Sequence, residues 1–121
     1  MAAPYTRPCC GHKTLRDFPG SYDICEVCFW EDDQVQLLDP TYRGGANGPS
    51  LIECQIEFAS CGASERRFLT NVRPANTREP KDPAWRPATP DDTHPKRVPR
   101  DLTDNEHSAL ETWHYWLRNA T

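Results

Sequence analysis

Six cysteines give this chain of 121 residues its main capacity for chemistry. Cys25 and Cys28 form a C-x-x-C pair, and Cys9 and Cys10 stand side by side earlier in the chain. Pairs with this spacing commonly hold Zn²⁺ in small hairpins. Disulfides are the alternative, but the chain opens without the apolar segment of a secretion signal, and thiols in a reducing cytosol bind metal more readily than they pair. The spacing therefore predicts a structural Zn²⁺ ion as the cofactor.

A short hairpin is the element expected to position these cysteines. Strand-like residues run from Gly11 to Leu15 and again from Ser21 to Ile24. The turn residues Phe18-Pro19-Gly20 separate the two stretches. This order predicts a zinc-ribbon-like β-hairpin that ends at the C-x-x-C pair.

Helices are expected to pack on this hairpin. The run Ser50-Leu51-Ile52-Glu53 matches a capping box, so a helix is predicted to begin after Ser50 and to stop at Gly62. A second short helix is predicted from Ser64 through Leu69. The result is an α+β fold. Hydrophobic residues make up 36% of the chain, and we therefore expect the metal to replace part of the apolar core.

The second half of the chain divides into an arm and a helix. Residues 75–100 are rich in proline and are predicted to form an extended arm. A second capping box begins at Thr103, and Leu110, Trp113 and Leu117 recur at helical spacing, so residues 101–121 are predicted to form an amphipathic helix. The predicted domain is then 1–74. The aromatic face of the helix either docks on this domain, as is usual in small chains, or contacts a partner.

Several segments follow one another in an order that points to one family. They are Pro8 to Leu15, Tyr22 to Asp33, Gly44 to Gly48, Ser50-Leu51, Phe58, Gly62 to Ser64 and Val72 to Pro74. Together they resemble the bacterial cysteine-rich CPCC domain family, over about residues 5 to 74. The resemblance implies a small bacterial cytoplasmic domain with a structural zinc and no established enzymatic activity. It also implies a place beside toxin genes, which suggests a partner-binding or immunity role.

The chain departs from this family at one position, because Arg7 stands where members have their first cysteine. The resemblance then implies three thiolate ligands, namely Cys10, Cys25 and Cys28. Cys9 is one candidate for the fourth, although adjacent cysteines point in different directions on an extended chain. His12 is the other, since an imidazole two residues beyond Cys10 can turn toward the same ion. A water molecule in the fourth position and loss of the metal are the remaining outcomes.

Acidic residues dominate the segment from Asp17 to Tyr42, which contains no lysine or arginine, and the whole chain carries a formal charge of -4. Such a segment repels phosphate, whereas each phosphate contact needs a basic group. The sequence therefore disfavours a nucleic-acid partner, and a zinc-ribbon regulator that binds nucleic acid is the weaker alternative.

Trp30 stands directly before Glu31, Asp32 and Asp33. An aromatic anchor with an acidic rim suits a protein interface, so these four residues are predicted to bind a partner. We predict a non-enzymatic protein-binding module, most specifically an immunity protein that neutralises a cognate toxin. The remaining alternative is a zinc-dependent hydrolase in which one of these carboxylates acts as base on a metal-bound water. No apolar run is long enough to cross a membrane, and we expect a cytoplasmic protein.

Overall fold

The computed structural model describes residues 4–95 and 113–118. Two α-helices lie in this part of the chain: α1, Gln34–Leu38, and α2, Leu51–Cys61. Short 3₁₀ turns cover Arg66–Phe68, Pro90–Asp92 and Tyr115–Leu117. None of the helices in these residues is long and apolar enough to span a bilayer.

The two cysteine pairs lie in two separate loops, each of which closes on itself. The end residues of the first loop, residues 5–15, exchange backbone hydrogen bonds of 3.1 and 3.2 Å. In the second loop, residues 22–32, Ile24 forms an antiparallel bridge with Glu31. These are isolated bridges, and no sheet is found among the described residues.

The predicted zinc-ribbon-like hairpin is not confirmed. The stretch predicted as its first strand pairs with Tyr5, and the stretch predicted as its second strand pairs with the end of the second loop, where the Tyr22 amide donates to the Asp32 carbonyl at 3.0 Å. Gly20 and Tyr22 have positive φ angles of 100° and 62°, so the chain turns sharply between the two stretches. Each stretch therefore completes its own cysteine loop instead of pairing with the other.

Helix α2 confirms the capping-box prediction. The Ser50 hydroxyl accepts from the Glu53 amide at 3.1 Å, and the Glu53 carboxylate accepts from the Ser50 amide at 3.0 Å. The helix stops at Gly62, whose φ of 90° suits glycine and whose amide donates to the Phe58 carbonyl. The short helix predicted for residues 64–69 is reduced to one 3₁₀ turn.

The described part of the proline-rich arm is extended, but it lies against its own chain. The Lys13 amide donates to the Pro80 carbonyl at 3.0 Å, and the Asp82 amide donates to the Gly11 carbonyl at 2.9 Å. The indole of Trp85 covers Gly11, where an added Cβ would meet the ring at 2.7 Å. The arm thus packs on the first loop, and residues 96–100 lie outside the described residues.

Most of the predicted C-terminal helix, residues 101–112 and 119–121, lies outside the described residues. The described residues 113–118 pack on the chain's own core through Trp113, Tyr115 and Trp116, but Tyr115–Leu117 is a 3₁₀ turn and not part of an α-helix. Gln55 of α2 is the centre of this contact. Its side-chain amide donates to the Pro8 carbonyl at 3.0 Å and to the Tyr115 hydroxyl at 2.9 Å, and it accepts from the Ala88 amide at 2.8 Å.

The core is larger than the low hydrophobic content predicts. Large side chains of the second loop, α1, α2 and the C-terminal residues are buried in one cluster, including Trp30, Leu37, Leu38, Leu51 and Trp113. Five cysteines belong to the same cluster. The segments beyond residue 79 therefore supply apolar surface that the cysteine-rich part lacks.

We expect Gln55→Ala to destabilise the protein by about 2 kcal/mol, because it leaves the buried Ala88 amide without an acceptor and removes the bonds to the Pro8 carbonyl and the Tyr115 hydroxyl. Ile56→Ala, one residue further on the exposed face of α2, is the matched control and should stay within about 0.5 kcal/mol. Urea unfolding followed by tryptophan fluorescence measures both. Equal effects of the two substitutions would show that Gln55 does not join the segments.

Candidate metal centre

Three thiols meet in the interior, between the two loops. The Sγ atoms of Cys10, Cys25 and Cys28 all lie within 4.8 Å of one another, and those of Cys10 and Cys25 are 4.0 Å apart. A tetrahedral zinc ion with Zn–S bonds of about 2.3 Å places its sulfur ligands roughly 3.8 Å apart. Disulfide bonds need about 2.05 Å, and all six cysteines are free. The donor set therefore fits a metal ion.

The same local geometry presents the thiols in both loops. The residue that follows the second cysteine of each pair has a positive φ, which is 76° at Gly11 and 66° at Phe29. In the second loop this turn allows the amides of Val27 and Cys28 to donate to the Cys25 sulfur at 3.3 and 3.4 Å. Such N–H donors stabilise a negatively charged sulfur. The loops are thus shaped to point sulfur atoms inward.

The three thiols differ in their acidity. Burial raises the pKa of Cys28 well above its ordinary value, and burial with hydrogen bonds to its neighbours does the same for Cys10. The pKa of Cys25 is lowered by hydrogen bonds from those two thiols and by the charge of Arg7. A divalent ion would have to displace the protons of Cys10 and Cys28 as it enters.

The two candidates for a fourth ligand lie in different places. Cys9 is buried and its thiol is hydrogen-bonded to Cys28, with its pKa raised to about 11 by burial. It nevertheless does not lie within 4.8 Å of all three cluster sulfurs. The Nδ1 atom of His12 is instead 2.8 Å from the Glu79 carbonyl, so this imidazole binds the arm.

Arg7 lies beside the cluster with its side chain only 1% exposed. Its guanidinium donates to the Asp23 carbonyl at 2.7 Å, to the Asp23 carboxylate at 2.8 Å and to the Thr14 hydroxyl at 3.2 Å. That hydroxyl is in turn 3.3 Å from the Cys25 sulfur. Burial lowers the pKa of Arg7, but nearby Cys25 and the bond to Asp23 raise it by more, so the net shift is upward.

The comparison with known families agrees with this geometry. The model of the cysteine-rich CPCC family matches residues 5–79. The chain belongs to this family. The match contains both cysteine loops, α2 and the start of the arm. Within the matched residues the chain reads Arg7-Pro8-Cys9-Cys10, which resembles the Cys-Pro-Cys-Cys run of the family's name with arginine in the first place. No curated protein matches the chain.

The structure corrects the prediction of an exposed aromatic and acidic surface. Trp30, Asp32 and Asp33 are buried, and Glu31 is half-buried. One oxygen of Asp32 accepts from the amides of Gly20 and Ser21 at 2.7 and 2.9 Å. These carboxylates are therefore internal hydrogen-bond acceptors and are not free to form a partner-binding rim.

Asp33 has a comparable internal role. One of its oxygens accepts from the Val35 amide at 2.8 Å and caps α1, and the other accepts from the Ala46 amide at 2.8 Å. The signal in the sequence was the position of an aspartate directly before a short apolar run, which is typical of an N-cap.

A cavity of about 470 Å³ on the Arg7 side of the cluster was missed by the sequence analysis. Five basic side chains line it, and three acidic ones: Arg7, Lys13, Arg16, Arg73, Arg78, Asp23, Glu26 and Glu79. Arg7 and Arg73 are ion-paired with these acids. The cavity is thus a basic region on an acidic protein, and the cysteine sulfurs do not line it.

We expect the purified protein, reconstituted with zinc under reducing conditions, to retain about one ion per chain. Single substitutions of Cys10, Cys25 or Cys28 by serine should abolish retention, because each removes a thiol of the cluster. Elemental analysis measures the ratio. Cys61→Ser is the control, since this cysteine lies outside the cluster. Loss of zinc in the control, or retention in Cys25→Ser, would show that the ion binds elsewhere.

Proposed function

We propose that this member of the CPCC family is a non-enzymatic binding module whose fold is braced by zinc. The observation that carries the proposal is the complete burial of the three cluster thiols, each of which is 0% exposed. A metal held there joins the first loop to the second and has no surface from which to meet a substrate. Thiolate ligands with this spacing are typical of structural zinc.

We assign three of the ligands to Cys10, Cys25 and Cys28, the thiols that the structure brings together. Of the two candidates for a fourth ligand, Cys9 contacts a thiol of the cluster but lies outside its 4.8 Å spacing, whereas His12 is engaged with the arm. When bound, the ion supplies a cross-link and neutralises the charge of its thiolates.

The hydrolase alternative finds little support in the position of the carboxylates. A catalytic zinc needs a bound water and a base within hydrogen-bond reach. One oxygen of Asp32 accepts from Gly20 and Ser21, its other oxygen is buried, and Asp33 accepts from Val35 and Ala46, so neither carboxylate is presented to a substrate. A non-enzymatic role is therefore the function that the site favours.

The part of the surface that suits a protein partner is the rim of the basic cavity. Arg16 and Arg78 are exposed there, and neither forms an ion pair within 4.0 Å in the part of the chain that the structure describes. Ile24 lines the same cavity and is 45% exposed, and Tyr22 beside it is 54% exposed. Apolar anchors among unpaired cations fit an acidic protein surface. We therefore propose an acidic partner instead of a basic one.

An immunity role remains a proposal that rests on the resemblance to the family. Acidic residues of this protein could in principle occupy the cationic cleft of a toxin by mimicking phosphate, but Asp32 and Asp33 are buried and do not support such a mode. A toxin bound at the basic cavity would be held by its own acidic residues. Nucleic acid is the second candidate for this cavity, but the described lining contains no aromatic side chain on which bases could stack.

Chelation is expected to lower the melting temperature of the zinc-loaded protein by about 10 °C or more, because an ion that binds only the folded state stabilises it by mass action. Calorimetry with and without a strong chelator measures the shift, and re-addition of zinc should reverse it. The same zinc-loaded sample should show no turnover on ester and phosphodiester substrates. Chelator-sensitive turnover would favour the hydrolase instead.

For the partner, we expect Arg16→Glu with Arg78→Glu to weaken binding to the product of a neighbouring toxin gene by tenfold or more, on the order expected for charge reversal in an interface. Arg43→Glu is the control, because this exposed arginine lies away from the cavity. Titration calorimetry at two salt concentrations measures the affinity. Unchanged affinity in the double variant would reject the basic cavity as the interface, and retarded DNA or RNA would favour nucleic acid.

A further inference from the structure

Arg7 forms a second link between the same two loops that the cysteine cluster joins. Cys10 belongs to the first loop, and Cys25 and Cys28 belong to the second. No backbone hydrogen bond joins the two loops, both of which the structure describes in full. The side chain of Arg7, from the first loop, makes two hydrogen bonds to Asp23 of the second. A metal ion and this guanidinium would therefore hold the same pair of segments together.

Only the Arg7 end of this link is buried. The Arg7 side chain is 1% exposed, whereas that of Asp23 is 48% exposed. Burying a guanidinium is costly unless its donors are satisfied, and here Asp23 and Thr14 satisfy three of them. Thr14 connects the guanidinium to the Cys25 sulfur through its hydroxyl. The positive charge is thus directed at the thiol cluster and not simply at a surface carboxylate.

Charge distinguishes this arrangement from a cysteine at the same position. A zinc ion with four thiolates carries a formal charge of about -2, and one with three carries about -1. The adjacent guanidinium balances the charge of a zinc ion with three thiolates. The guanidinium lies beside the cysteines, whereas a cysteine at position 7 would add a further buried thiol to the four of the two loops. Conversely, a fixed cation beside the cluster repels an incoming dication.

We propose that Arg7 braces the two loops where a further cysteine ligand would otherwise do so, so that the chain keeps its fold without metal and binds zinc more weakly than the Arg7→Cys variant. Arg7 is a positioning residue, and the metal site becomes an exchangeable one. This inference rests on the zinc site proposed above. It adds that zinc modulates the stability of a fold that Arg7 already holds together.

The test compares wild type with Arg7→Cys and Arg7→Met, each with zinc and after chelation under reducing conditions. Competition with a chromophoric chelator measures zinc affinity, and calorimetry measures melting. We expect Arg7→Cys to bind zinc at least about tenfold more tightly and to lose its cooperative melt when chelated. Chelated wild type should keep a cooperative melt. Arg7→Met should fold with zinc and, once chelated, melt about 10 °C or more below chelated wild type.

Arg73→Met is the matched control, because Arg73 also bridges two segments through charged hydrogen bonds, to Glu26 and Glu79, but does not contact a cysteine. It should match wild type in zinc affinity. Arg7→Lys keeps the positive charge but loses the planar guanidinium that donates to two groups at once. Its melting temperature after chelation should fall between those of wild type and Arg7→Met.

Two results would overturn the inference: equal zinc affinities of wild type and Arg7→Cys, or equal melting of chelated wild type and chelated Arg7→Met. If wild type takes up no zinc, the proposed metal function fails, yet the two metal-free melts still decide the role of Arg7. If zinc binds and the two chelated proteins melt alike, the metal function stands and the inference fails.

Discussion

The convergence of three thiols from two self-closed loops is the constraint on which the rest of the structure depends. Each loop satisfies its own backbone groups, so the loops have no hydrogen-bonded ladder to hold them together. What joins them is the buried cluster of Cys10, Cys25 and Cys28 and the guanidinium beside it. Thiols alone would contribute as small apolar groups, whereas an ion would convert them into a cross-link. Helix α2 and the arm then cover the outside of this junction.

Asp32 and Asp33 show how buried polar residues support the second loop. The second loop leads directly into α1, and Asp32 and Asp33 lie at this junction. Asp32 and Asp33 accept from amides of residues 20, 21, 35 and 46, which lie on both sides of them in the chain. Burial raises the pKa of Asp32, and the donated hydrogen bonds offset part of that cost. These carboxylates therefore hold the second loop in place through internal hydrogen bonds.

The parts that sequence could predict are those determined by nearest neighbours. The capping box at Ser50, the stop at Gly62 and the C-x-x-C pair each depend on a few consecutive residues, and each has the predicted local structure. The predicted hairpin does not form. Strand pairing depends on residues that are distant in the chain, and Leu15 pairs with Tyr5 instead of with residues 21–24. Burial of Trp30 was missed for a related reason, since the segments that cover it come from α2 and from the C-terminal residues.

Charge composition was informative about the whole chain and misleading about its surface. The net charge of -4 is a sum over all side chains, and two of the acids in the most acidic stretch are buried, whereas exposed Arg16 and Arg78 lie at the basic cavity. Arg7 is the extreme case, because composition counts it as one more surface cation, although it is buried against the cysteines. Its neighbours define its surroundings, because Asp23 and Thr14 hold the guanidinium between the basic cavity and the thiol cluster. Membership of the CPCC family therefore identifies the scaffold, while the contacts of single residues such as Arg7 have to be read from the structure.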